Sequence, residues 1–374
     1  MFQQFLSTLT IFLLLLPLSE KLPRAQTPGA NSRNDKTAAL AYRNIQVLRD
    51  IPADELIPAM QFITYSLGVE CSYCHVEGAL EKDEKKTKLT ARKMMEMMLT
   101  INRENFDSRQ VVTCNSCHRG VSRPVSIPMI AESGAESNLG IIPEAEGPGI
   151  HFPSPDDVIA KYVNAIGGAA ALGKVKTRQA KGTISISGRN LPLEILSSAG
   201  RKQLTIIHLS NGDSVTAYDG VSGWTSGPNR PVRPIPTLEA ISALPGTDLQ
   251  LPIHMKELFD RLESLPPEKM RNCETYVVAG INAGEIVSKF YFDKDSGYLL
   301  RILRYTKTPL GQNPTQIDNE DYRDQDGLKV PFLVTISRPN SQLTIRIDQV
   351  KFNIPLDDER FRYPARPEAD QPSL

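Results

Sequence analysis

The sequence predicts an α+β protein: a small all-α domain over residues 38–124, then an antiparallel, β-rich domain over residues 154–370 with a few helices of its own. Three observations carry this. Apolar residues early in the chain recur at spacings of three and four, as on one face of a helix, whereas those beyond about residue 180 alternate with polar ones, as on a half-buried strand. Between the two regimes, residues 125–153 are rich in Pro, Gly, Ser and Glu without periodicity, which reads as a linker. The length of 374 residues also exceeds the ~250 residues that one core usually reaches.

Charge excludes one class of function. Lys and Arg total 43, Asp and Glu total 43, and the formal net charge is zero. No arginine-rich tail or basic stripe is present to exchange counterions with a phosphate backbone, so nucleic acid is not an expected partner.

The first element is the apolar run Leu6–Leu18. It is shorter than the ~20 residues of a membrane-spanning helix and has the length of a signal-peptide core. Residues 1–25 therefore read as a signal peptide or N-terminal anchor, and the protein as exported, either periplasmic or on the outer side of the inner membrane. In the α domain, Leu56, Met60, Ile63 and Leu67 place a helix over residues 53–67, with Gly68 as its stop. Thr90 looks like the N-cap of a second helix running to Phe106. The charge run Glu81–Lys88 between them reads as a solvated loop.

After the linker, Ser154-Pro155-Asp156-Asp157 carries a helix start: a hydroxyl cap, proline at the first position and acids against the positive end of the dipole. Strands follow where Ile184 and Ile186 alternate with Thr183 and Ser185, and where Leu343, Ile345 and Ile347 alternate with Thr344, Arg346 and Asp348. Turn pairs punctuate them: Asn211-Gly212, Asp219-Gly220, Asp295-Ser296-Gly297 and Asp326-Gly327. Two short helices are expected near residues 237–244 and 254–265. Polar outer positions argue for a sheet with one buried face.

Chemistry concentrates in two pentads, Cys71-Ser72-Tyr73-Cys74-His75 and Cys114-Asn115-Ser116-Cys117-His118, which use four of the five cysteines and two of the five histidines. Two thiols three residues apart on one turn can add to the two vinyl groups of a haem, and the next imidazole then reaches the proximal iron position. The expected cofactors are two covalently bound haems c, with His75 and His118 as iron ligands. A zinc site fits less well: 39 residues separate Cys74 from Cys114, against ~15–20 in zinc ribbons, and the repeated histidine would have no role. A redox CxxC also needs no histidine after it. Cys273 is left as a single buried thiol. His208 and His254 read as ordinary surface or core residues.

Methionine is the usual second axial donor. Met60 is the one candidate in the helix before the first pentad. Before the second, Met94, Met95, Met97 and Met98 compete, and helical period does not choose among them.

The stretches Met60–His75 and Met94–Gly120 resemble the photosynthetic reaction-centre cytochrome c subunit family, over about residues 41–124. The resemblance implies a repeat of a helix carrying the axial methionine, a turn, then the CxxCH helix. Carried over, it makes Met60 and Met94 the axial ligands, with Met97 a non-ligating second methionine. It departs from the family in carrying two pentads rather than four, in lacking an N-terminal lipid-anchoring cysteine, and in lacking a histidine between Asn102 and Cys114. More loosely, Gly167-Gly168, Tyr218-Asp219-Gly220, Gly223-Trp224 and the segment Tyr291–Arg301 resemble outer-membrane lipoprotein-carrier-like half-barrels, which implies a curved sheet around helices and room for a lipid or other apolar ligand.

The expected function is single-electron transfer by an exported dihaem c-type cytochrome, without a catalytic residue. Its partners would be donor and acceptor redox proteins, with a membrane-bound complex as one setting. Two alternatives are a peroxidase-like haem enzyme, which needs an open iron position, and a lipophile-binding β domain with a redox-sensing haem module.

Overall fold

The structure, a computed structural model, describes residues 36–124, 152–270, 273–339 and 341–364. The expected signal segment, nearly all of the linker and His151 lie outside the described residues. No helix among the described residues is long and apolar enough to cross a membrane.

The helical part comprises α1 (Ala38–Ala41), a 3-10 turn Ala53–Glu55, α2 (Leu56–Leu67), a 3-10 turn Cys71–Tyr73, α3 (Lys86–Asn105) and α4 (Cys114–His118). Leu56, Ala59, Phe62 and Ile63 form the buried face of α2. Pro58 is tolerated there because the first-turn N–H groups have no intrahelical partner. The helix stops at Gly68 in a left-handed conformation, φ 63°. A Cβ at Gly68 would lie 2.1 Å from the Gly120 carbonyl oxygen, so the turns after α2 and α4 press together, and Gly120 N donates to Ser66 O at 2.8 Å.

Helix α3 begins at Lys86, not at Thr90. Thr90 is interior, its hydroxyl donating to Lys86 O at 3.0 Å, and the first turn holds Lys88, a residue only 8% exposed, whose ammonium turns back onto the preceding loop. The charge run is therefore partly helix and partly a braced loop.

The β-rich part opens with α5 (Pro155–Ala165) and α6 (Ala169–Lys174). Ser154 caps α5 as expected, its Oγ accepting from Asp157 N at 3.2 Å. Six strands follow: β1 (Thr177–Ile186), β2 (Arg189–Ser198), β3 (Lys202–Leu209), β4 (Gly212–Asp219), β5 (Gly223–Gly227) and β6 (Arg230–Pro234). Helices α7 (Thr237–Thr247) and α8 (Leu251–His254) lead to β7 (Arg261–Met270), β8 (Cys273–Asn282), β9 (Glu285–Asp293) and β10 (Leu299–Thr308). The last strands are β11 (Gly311–Gln325), β12 (Leu328–Arg338) and β13 (Ser341–Phe352). They form one antiparallel sheet in the order β6-β5-β4-β3-β2-β1-β13-β12-β11-β10-β9-β8-β7. Each of the four turn pairs named above joins two consecutive strands. The two alternating segments named above, far apart in sequence, are neighbours, with Ile184 opposite Ile345.

Two expectations change here. Residues 261–265 are strand rather than helix: α8 and a 3-10 turn end at Leu258, and Pro266-Pro267 lie where the β7–β8 register shifts between Leu265 and Glu268. Proline removes a ladder donor and is tolerated at a bulge on an edge strand, and the other edge strand, β6, also carries Pro231 and Pro234. Nor is the sheet buried on one face only. Val278, Phe290 and Ile302 pack against Val158, Tyr162 and Val163 of α5, while the neighbouring Val277 and Tyr291 form a cluster with Met270. Trp224 and Leu196 are covered by Phe361, whose carbonyl accepts from Trp224 Nε1 at 3.0 Å.

The helical part leans on the sheet at the β10–β11 turn. Leu310, 1% exposed, belongs to the same cluster as Leu56, Phe62, Met95 and Met98. Asn313 Nδ2 donates to Pro58 O at 3.2 Å. A Cβ on Gly311 would lie 2.3 Å from the Phe62 ring, so the hairpin tip fits the helix only as glycine.

Candidate haem-attachment site

Both pentads are single turns. In the first, His75 N donates to Cys71 O at 3.0 Å, which stacks the imidazole one turn above the first thiol. Cys71 is exposed and Cys74 half-buried. His75 Nδ1 lies 2.8 Å from Leu80 O. As donor, Nδ1–H fixes the tautomer that leaves Nε2 with a free lone pair, the form an iron ligand needs.

The carbonyl that holds His75 is itself held. Lys88 Nζ donates to Leu80 O at 2.9 Å, Glu81 O at 2.9 Å and Lys82 O at 2.8 Å, and is 3.1 Å from Asp83 Oδ1. Asp83 Oδ2 accepts from Arg92 at 2.8 Å and Oδ1 from Asn44 at 2.9 Å. These bonds, Arg92's first, hold the Asp83 carboxyl well below the usual carboxylate range. Thr87 Oγ1 donates to Tyr73 O at 2.6 Å, and Lys85 Nζ to Ser72 O. Charged side chains thus tie the first pentad to the start of α3.

The second pentad is held by neutral groups. Asn102, 4% exposed, clamps Val112 at both ends: its Nδ2 donates to Val112 O at 2.7 Å and its Oδ1 accepts from Val112 N at 2.9 Å. Thr113 N donates to Ser116 Oγ at 3.0 Å, opening α4. His118 Nδ1 lies 3.0 Å from Val121 O, the same arrangement as at His75.

The four methionines of α3 divide into two pairs. Met95 and Met98 are 8% and 5% exposed in the core, and Met98 Sδ accepts from Asn102 Nδ2 at 3.4 Å. Met94 and Met97 are 40% and 48% exposed. An open cleft of about 890 Å³ runs along this helix, lined by all four of these methionines and by Ile63 and Leu67, together with Cys114, Cys117, His118 and Cys74. The cleft thus brings together the second pentad, the four methionines of α3 and one thiol of the first. Met60 is half-buried against the Leu56–Phe62 cluster and, like Cys71 and His75, does not line it.

The residues fit covalently attached haem. Each turn offers paired thiols beside an imidazole oriented through Nδ1, and an apolar wall with an exposed thioether flanks the second. Burial pushes the Cys74 and Cys114 thiols up, whereas a redox CxxC works through a thiol pulled down. Among the described residues no three His, Cys, Asp or Glu side chains stand together as metal ligands. Cys273 is half-buried rather than buried. His208 pairs with Asp213 at 2.8 Å and His254 with Asp248 at 3.3 Å.

Lys88, Asp83, Arg92 and Asn102 escape a sequence reading. The first three resemble any solvated charge run, and their convergence is tertiary. Asn102 alone leaves a trace, as a poor helix former following the apolar stripe of α3.

Known proteins echo this part of the chain. A family model described as photosynthetic reaction centre cytochrome C subunit matches residues 17–146. The cytochrome c subunit of Thermochromatium tepidum is 30% identical over 138 residues, covering 36% of this chain and 34% of that protein. The subunit of Roseobacter denitrificans is 35% identical over 113 residues, covering 27% and 30%. The chain thus spans about a third of the length of these relatives. Among solved structures, a LolA superfamily protein from Nitrosomonas europaea is 12% identical with a TM-score of 0.38, covering 56% of this chain and 98% of that one. A DUF1329 family protein from Desulfovibrio piger is 15% identical with a TM-score of 0.39, covering 56% and 97%. The pentad-bearing N-terminal part of the chain is similar in sequence to the photosynthetic reaction centre cytochrome c subunit family.

Proposed function

We propose that the chain is an exported c-type cytochrome that carries two covalently attached haems and transfers single electrons. One observation carries the reading: both CxxCH turns hold their histidine through Nδ1 to a backbone carbonyl, leaving Nε2 free in each. Haem, when bound, supplies a one-electron couple; the protein attaches, orients and shields it.

Cys71, Cys74, Cys114 and Cys117 are the attachment thiols, and His75 and His118 the proximal ligands. Met94 would be the distal ligand at the second site, favoured by its exposure: Met95 and Met98 border the same cleft but are nearly buried. Met97 is similarly exposed, and the family resemblance favours Met94 over it. Met60 is the distal ligand at the first site, on the resemblance and on its helix. A histidine and a methionine at each haem would leave no open iron position for peroxide chemistry, which favours a carrier over an enzyme. Cys74 lines the cleft of the second pentad, so the two attachment turns border one space, which favours electron exchange between the groups they would hold. Donor and acceptor are redox proteins outside the membrane, docking at exposed haem edges through local charge.

Mass spectrometry and an optical spectrum of the exported full chain test this. Two covalent haems per chain, low-spin bands and the weak long-wavelength band of methionine-ligated ferric haem are expected. A haem-free, zinc-loaded protein would overturn the reading, and a high-spin spectrum would favour the enzyme alternative.

A further inference from the structure

The two pentad histidines rest on backbone carbonyls in different electrical settings. Leu80 O, the partner of His75 Nδ1 at 2.8 Å, also accepts from the Lys88 ammonium at 2.9 Å. Val121 O, the partner of His118 Nδ1 at 3.0 Å, meets no charged donor among the described residues.

The charge on Lys88 is not cancelled. Its three N–H bonds serve four acceptors: the carbonyls of Leu80, Glu81 and Lys82 and, at 3.1 Å, Asp83 Oδ1. Asp83 in turn pairs with Arg92 at 2.8 Å. Two cations thus share one carboxylate, and the cluster keeps one net positive charge. The Lys88 and Arg92 side chains are only 10% and 11% exposed, so water and salt screen them little. The other charges of the loop are weaker influences. Lys82 and Glu84 pair with each other at 3.2 Å, and Glu77 and Glu81 are exposed. Lys85 adds a further cation, on the Ser72 carbonyl.

A carbonyl that accepts from a cation has less electron density to offer an imidazole. The Nδ1–H bond weakens, the ring keeps less imidazolate character, and Nε2 becomes a poorer donor to an oxidised metal ion. The net positive charge acts in the same direction, because it opposes the extra charge of the oxidised state.

We propose that Lys88, acting through the Leu80 carbonyl, raises the reduction potential of the haem held at His75. Lys88 contacts neither thiol nor imidazole, so it is a positioning residue. The inference rests on the dihaem reading above.

The test is a potentiometric titration of the full, haem-loaded chain followed by its optical bands, with intact mass counting haems. Lys88→Met should lower one of two midpoints and leave the other in place. The expected shift is about tenfold in the ratio of oxidised to reduced haem at fixed potential, or about 59 mV for one electron. Asp83→Asn removes the carboxylate and should raise that same midpoint. A purely mechanical brace would move both variants the same way. The midpoint that moves should be the one that remains in Cys114→Ala with Cys117→Ala. Unmoved midpoints, a shift at the other haem, or a fall in Asp83→Asn would overturn the proposal, while two covalent haems would leave the dihaem reading standing. A haem-free native chain would overturn both. Should Lys88→Met fail to fold, the sign of the Asp83→Asn shift decides alone.

Discussion

The two CxxCH turns orient their histidines alike, through Nδ1 to a backbone carbonyl, and are held by opposite means. The first is braced by ions: Lys88 on three carbonyls, Asp83 between Lys88, Arg92 and Asn44. The second is braced by a neutral amide clamp and backs onto an apolar cleft. Ion pairs respond to pH and salt; neutral buried hydrogen bonds do not. The two sites should therefore respond differently to acid, although their attachment motifs share one pattern.

The strongest way to break the pair apart is to remove one attachment. Cys114→Ala with Cys117→Ala is expected to reduce covalent haem from two per chain to one, read by intact mass; retention of two would show that the second turn is not an attachment site. Next, Gly68→Ala should destabilise the helical part by roughly 2–3 kcal/mol, since it combines a left-handed φ with a clash on Gly120 and such strained core changes lie at the high end of single-mutant effects. Denaturant midpoints measure it, and because both turns share this contact, both should loosen together.

Asn102→Leu and Lys88→Met sharpen the contrast. Each removes hydrogen bonds to the backbone, Asn102 those to half-buried Val112 and Lys88 those to the exposed residues 80–82, at about 0.5–1.5 kcal/mol for each bond lost. Hydrogen exchange should show the Asn102 variant opening residues 112–118 and the Lys88 variant opening residues 75–85, each sparing the other. Met94→Ala should leave stability nearly unchanged, because the side chain is exposed, while removing the methionine band of one haem. The smallest effect is that of acid. Asp83 titrates below its unfolded value, so its contribution is present above the usual carboxylate pKa of ~3.9 and fades as pH falls below that. Exchange protection around residues 75–85 should drop in acid before that around 112–118; simultaneous loss would sink the distinction. In the β-rich part the opposite sign applies to Tyr162, which burial pushes up to about 12 from 10.0. Its contribution is intact below pH 10 and fades between there and about 12, read from alkaline melts.

Much of the fold was legible because its signals are local. The α5 start at Ser154-Pro155, the stop at Gly68 and the four hairpin turns each depend on backbone conformations a few residues wide. The misread elements lack that property. Residues 261–265 carry Leu262 and Leu265, a spacing that suits a helix, and only pairing with β8 makes them strand. Thr90 has the chemistry of a cap, but the helix starts ahead of it, at Lys86, with Lys88 turned back onto the preceding loop.

By itself the sequence determined the candidate attachment motifs, since two thiols and an imidazole within five residues need only one turn of backbone to converge. It also determined the order of a helical part and a β-rich part, because periods of 3.6 and 2 are written locally. Tertiary structure decided which methionines are packed away and which stay exposed, and that Leu310 and Asn313 of a distant hairpin complete the helical part. Those outcomes depend on contacts between residues tens to hundreds of positions apart, which spacing along the chain does not encode.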